Sequence, residues 1–157
     1  MNVVGCSPKT AARFLAVALF LVLPFRAHAV LGDNASSVLA DQARMKGTLH
    51  SVDTHTYVVH EITVPMGTTV REFVSPAGVV FGVAWNGPFA PDFQSLLGPY
   101  YEQAKQSAST ETHARRGPIN IQTPGLVFQQ SGHARSFHGQ AYIPQLMPAG
   151  VAASEIH

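Results

Sequence analysis

The chain has 157 residues, one cysteine and 12% charged residues, with ten Lys+Arg against nine Asp+Glu. That length is one domain with room for a packed core, and a single thiol excludes intramolecular disulfides. The balanced charge supplies neither the basic patch that nucleic-acid binding needs nor a polybasic helix for a membrane surface.

Residues 1–29 carry the three parts of a cleavable secretory signal peptide. Lys9 and Arg13 form a positive n-region, residues 14–25 are an unbroken apolar run, and Ala27-His28-Ala29 is a small-x-small cleavage triplet preceded by Pro24. As a helix this run rises only about 18 Å, short of a hydrocarbon core of roughly 30 Å. The competing reading is an N-terminal core helix, and the order of charge, apolar run and triplet favours the signal. Cys6 precedes the apolar run, whereas a lipid-anchored cysteine follows it. Cleavage after Ala29 removes Cys6 together with Lys9, Arg13 and Arg26, which leaves seven basic and nine acidic residues in 30–157. The expected mature chain is one thiol-free domain with no Cys-based metal site and no cysteine nucleophile. No later segment is long and apolar enough to span a membrane, so a periplasmic or secreted location is expected.

Residues 30–46 predict a short helix, with Ser36 or Ser37 as cap, Val38, Leu39 and Met45 as a partial apolar stripe, and Gly47 as its stop. Residues 50–56 are polar and predict a loop or the lead into a strand. Residues 57–64, 68–75 and 79–85 are rich in β-branched and aromatic residues and predict strands. Pro65-Met66-Gly67 and Pro76-Ala77-Gly78 separate them. Proline presets the first corner of a type I turn and glycine takes the left-handed position after it, the chemistry of a three-residue hairpin loop closed by a bulge. A three-stranded antiparallel meander follows. In the third strand Val79, Phe81, Val83 and Trp85 alternate with Val80 and Ala84, so both faces are apolar and the strand is central or doubly covered. Gly82 within it marks a bulge or a close backbone approach. Arg71-Glu72 and His60-Glu61 lie on neighbouring strands, where such pairs make cross-strand salt bridges.

Asn86-Gly87-Pro88 ends the meander. A helix starts near Pro91-Asp92, with Phe93, Leu96, Leu97, Tyr100 and Tyr101 on one face and a break at Gly98-Pro99. Residues 107–118 are polar and predict a loop. Residues 126–131 and 137–144 predict a hairpin joined through Gly132-His133, and an irregular tail follows from about residue 145. The expected fold is α+β: an antiparallel sheet of about five strands, a meander plus a C-terminal hairpin, with helices packed on one face.

A run of residues through the middle of the chain resembles the DUF2844 family: Tyr57-x-x-His60-Glu61, Gly67-Thr68-x-Val70-Arg71-Glu72-Phe73-Val74-Ser75-Pro76-x-Gly78, Val80-Phe81-Gly82-Val83-x-Trp85-x-Gly87-Pro88, Pro91-Asp92 and Leu96-Leu97-Gly98. The stretch from Gly132-His133 to Pro144 is similar to the same family. The resemblance implies an exported bacterial protein, periplasmic or secreted, and another exported envelope protein as a partner. It assigns no activity, no catalytic residue and no ligand.

Histidine is the one enriched functional type, with His50, His55, His60, His113, His133, His138 and His157 after the signal segment. A zinc or copper site is the metal reading, with His60, His138 and His133 as candidate ligands and His60 meeting His138 across the sheet. A step of five residues puts neighbouring histidines on opposite faces of a strand, so any such site has to be assembled by the fold. His60-Glu61 lacks the second histidine of a zinc-protease helix, since Val64 stands there. No nucleophile elbow, phosphate loop or dinucleotide glycine pattern occurs, so no catalytic residue and no cofactor is expected. Trp85 and Phe89, at a strand end that runs into a turn, are the candidate interaction surface, against a competing reading of Trp85 as core. The expected function is a non-enzymatic envelope module that binds a protein or a ligand. A metal or small-ligand binder using the histidines is the alternative, and a small hydrolase the third class.

Overall fold

In a computed structural model, which describes residues 31–110 and 117–157, every strand joins one open antiparallel sheet. The proposed signal peptide, its cleavage point, Cys6 and His113 lie outside the described residues. The elements run α1 (Ser37–Met45), β1 (Thr48–Asp53), β2 (Val58–Thr63), β3 (Thr69–Val74), β4 (Val80–Gly87), α2 (Phe93–Leu97), α3 (Tyr100–Thr110), β5 (Ile119–Gln122), β6 (Val127–His133) and β7 (Ser136–Tyr142). The strand order is β1-β2-β3-β4-β7-β6-β5, so a meander and a C-terminal three-stranded unit meet along β4 and β7.

Both x-Pro-x-Gly turns form the hairpin loop that their chemistry predicts. Gly67 has φ +88° and its N–H donates to the Val64 carbonyl at 2.9 Å, while the Val64 N–H donates to Thr68 across the loop at 2.9 Å. Gly78, at φ +76°, repeats the pattern with Ser75 and Val79. The helix after the meander breaks at Gly98 into α2 and α3, and the Asp92 carboxylate caps α2 by accepting from the Gln94 N–H at 3.1 Å.

The sheet has seven strands, not about five. The two additional strands are the edges. β1 overlaps the polar stretch for which the sequence leaves a loop or the lead into a strand open, and it is exposed at five of its six positions, so it carries no apolar alternation. β5 is four residues long. Edge strands are held by backbone hydrogen bonds to one neighbour, and their side chains need not announce them.

A bulge in β4 corrects the predicted facing. Phe73 pairs with Gly82 but Val74 pairs with Val80, which leaves Phe81 as the extra residue. Val80, Val83 and Trp85 therefore share the helix-side core with Val38 of α1, Leu96 and Leu97 of α2 and Ala104 of α3. Phe81 and Ala84 face the other way, in a second core with Phe73 and Ile156. All three helices pack on one face, as expected.

The tail covers part of the opposite face. It has two 3-10 turns, Pro144–Leu146 and Ala153–Glu155, and its Ile156 is fully buried. A Cβ on Gly82 would lie 3.1 Å from Ile156 Cδ1, so the glycine lets the tail sit directly on the central strand. The Tyr57 hydroxyl donates to Glu155 at 3.1 Å, and Arg71 donates to the His157 main-chain oxygen at 2.9 Å. Tyr57, Phe73 and Phe81 form an aromatic trio beneath it, with ring centroids 5.8–6.2 Å apart. Ile156→Ala is expected to cost about 2–4 kcal/mol of stability by opening a cavity on Gly82. Denaturant unfolding checks this, and unchanged stability would show that the tail is not part of the core.

Candidate functional site

The tail covers β2–β4 and stops, and the adjoining part of the same face is polar. Two rows of side chains cross it. The cross-strand register aligns Asn120, Gln129, Gln140, Ala84 and Arg71 in one row, and Ser131, His138, Asn86 and Thr69 in the next. Together they floor an open groove of about 690 Å³, whose lining also includes Trp85, Pro118, Ile119, Gln130, Gly139 and His157. Alternation places them: Phe128, Ala141 and Val83 face the helices, so their strand neighbours face the groove.

The amides are tied into a ladder. Gln140 donates from Nε2 to Gln129 at 2.9 Å, and Gln129 donates to Asn120 at 3.3 Å. Arg71 is the cation of the floor, and its charge is matched from outside the groove: Nε donates to Glu61 at 2.8 Å. This is the cross-strand salt bridge expected between β2 and β3. No Asp, Glu or Lys is among the described residues that line the groove.

A second polar row lies on the helix side. Ser51, His60 and Glu72 are direct neighbours on β1, β2 and β3. The Ser51 hydroxyl and His60 Nδ1 are 2.7 Å apart. Burial lowers the His60 pKa from its ordinary value. Glu72 is buried, and neither carboxyl oxygen has a hydrogen-bond partner among the described residues. Burial pushes its pKa up to about 7, a rise moderated by the nearby Arg44 charge on α1. Arg44 itself pairs with the buried Asp41. The row has the residue types of a nucleophile, a base and an acid, but no hydrogen bond joins Glu72 to His60, so no relay is formed.

The residues singled out from the sequence are scattered. His60 faces the helices on β2, and His138 faces the groove on β7. Two strands and the thickness of the sheet separate them, so they do not meet as expected. His133 is exposed at the β6–β7 turn, its Nδ1 3.2 Å from the Ala134 carbonyl. Among the described residues, no group of three or more His, Cys, Asp or Glu side chains is disposed to hold a metal ion. Trp85 is 3% exposed and belongs to the core, its ring centroid 5.0 Å from Phe93 and 5.6 Å from Phe128. A Cβ on Gly139 would lie 2.5 Å from the Trp85 ring, so the strand opposite is cut away to seat it. Phe89 is 49% exposed and, with Met66 and Arg44, lines a small depression of about 210 Å³. No described helix is long and apolar enough to cross a membrane.

The Glu72 environment sets a pH dependence. The folded state holds the Glu72 proton more tightly than the unfolded chain, whose value is near 4.5. The stability this contributes is fully present below about pH 4.5 and is lost as pH rises through 7, about 3 kcal/mol in all. His60 acts in the opposite sense: its contribution is present above its ordinary value of 6.5 and lost as pH falls. Glu72→Gln is expected to remove the Glu72 part of the profile. Urea unfolding of both proteins at pH 4.5 and pH 8 measures it, and an equal pH difference in the two would refute the assignment.

The chain was compared with known families, curated proteins and solved structures. A family model described as a protein of unknown function, DUF2844, matches residues 27–156. No curated protein and no solved structure matches. Since that family model spans nearly the whole sequence, the chain belongs to the DUF2844 family.

Proposed function

We propose that this protein is an exported, non-enzymatic binding module of the bacterial envelope, and that the groove on the tail-side face is its recognition surface. The observation that carries the reading is the groove floor: two cross-strand rows, reaching from the β5 and β6 side of the sheet to β3, made mostly of uncharged hydrogen-bonding side chains, with Arg71 and Ala84 at the β3–β4 end of one. Side chains on paired strands are held in place before a ligand arrives, which lowers the ordering cost of binding. The surrounding sheet buries its apolar residues on both faces, so the exposed polar rows are not needed to close a core. Export rests on residues 1–29, where charge, apolar run and cleavage triplet follow one another in the order of a secretory signal.

In-cell photo-crosslinking tests the proposal. A photoreactive residue replacing Ser131 or Asn86 on the full chain is expected to capture an envelope component, and one replacing the exposed Leu39 on α1 is not. The photoreactive chain recovered in the crosslinked product should itself begin at Val30. Equal yields from all three positions, or none from the groove in cells that export the folded protein, would sink the proposal.

A further inference from the structure

We infer that the groove takes an uncharged oligosaccharide, a reading that rests on the groove being the recognition surface. The inference follows by matching chemistry to the floor. A carboxamide presents N–H donors and a carbonyl acceptor side by side, and a sugar hydroxyl is itself both donor and acceptor. Asn120, Gln129 and Gln140 lie on three successive strands. Neighbouring strands are about 4.8 Å apart, close to the span of one sugar ring, so a glycan lying across the strands meets an amide at each unit. The ladder bonds among these amides use one N–H of Gln140 and one of Gln129, and the second N–H of each is left for a ligand.

Other ligand classes fit this floor less well. A polyanion needs several cations, and beside His138 and His157 the described lining holds a single guanidinium, Arg71, already matched by Glu61. A cation needs a carboxylate, and none is among the described residues that line the groove. An apolar ligand would find Trp85, Pro118 and Ile119 in the lining, but over the floor it would strip water from the amides and return no hydrogen bonds. An extended peptide recognised through its backbone adds to a sheet edge; of the groove-lining strands only β5, four residues long, is an edge, while β3, β4, β7 and β6 are paired on both sides and offer only side chains. The volume, about 690 Å³, is in the range of sites that hold ligands of several rings.

The test uses the exported protein, ¹⁵N-labelled, titrated with cellotetraose, maltotetraose and chitotetraose, and with tetragalacturonate and tetra-alanine as acidic and peptide controls. At least one neutral tetrasaccharide is expected to shift the side-chain amide signals of Asn120, Gln129 and Gln140. The double substitution Gln129→Ala/Gln140→Ala is expected to weaken that binding by about tenfold or more. Asn86→Ala serves as a second variant should the double one fail to fold. No shift with any neutral sugar, stronger binding of either control, or unchanged affinity in the folded variants overturns the inference. A groove crosslink to a protein in cells, without a sugar-induced shift, overturns the ligand class and leaves the recognition surface standing. Absence of both overturns the two together.

Discussion

The structure depends on one constraint: β4 is apolar on both faces, and neither face tolerates water. Val80, Val83 and Trp85 call for cover on one side, Phe81 and Ala84 on the other. The helices supply the first cover. The tail supplies the other cover through Ile156, seated on a strand position with no side chain of its own. The bulge at Phe81 makes this division possible. By inserting one residue it turns a large aromatic away from the helices and into the trio that the tail covers. The groove is the part of that face beside the one the tail covers.

Much of this architecture was legible in the residues. The two x-Pro-x-Gly turns specify their hairpins because a glycine with positive φ is a local requirement that no distant contact can replace. The break at Gly98-Pro99 is equally local. The edge strands were not legible, since β1 is exposed almost throughout and β5 is too short to show a period. Nor was the facing of β4, because a bulge shifts the phase of every residue beyond it and shows in the sequence only as the ambiguous Gly82. The burial of Ile156 is purely tertiary: a single apolar residue in an irregular segment has no pattern to be read.

The candidate site was far less legible. Histidines draw attention by chemical type, but His60 and His138 are set apart by strand order and by facing, neither of which a lone sequence specifies. Trp85 sits beside a turn and looks exposed, while the glycine that leaves room for its ring, Gly139, is 54 positions away and pairs with it only through the β4–β7 ladder. The amide rows share that dependence. Gln129 and Gln140 are neighbours only because β6 and β7 form a hairpin in one register, and Asn120 joins them only through β5. Glu72 is an ordinary strand carboxylate in sequence, and becomes a buried, unpartnered one only when α1 closes over it.

The β4–β7 ladder also dictates an order of events. It joins Gly82 to Tyr142, and the seal on the same strand comes from Ile156. β1 to β4 can zip up by local contacts as soon as they exist, but the result is a sheet whose last strand is apolar on both sides and unpaired along one edge. Until the final strands and tail are present, that strand has neither its second neighbour nor its second cover. A chain that lacks these strands is therefore open and adhesive at its centre, with exposed apolar surface of the kind that aggregates. Pairing of β7 with β4 and seating of Ile156 act together as the latch that closes the centre of the sheet.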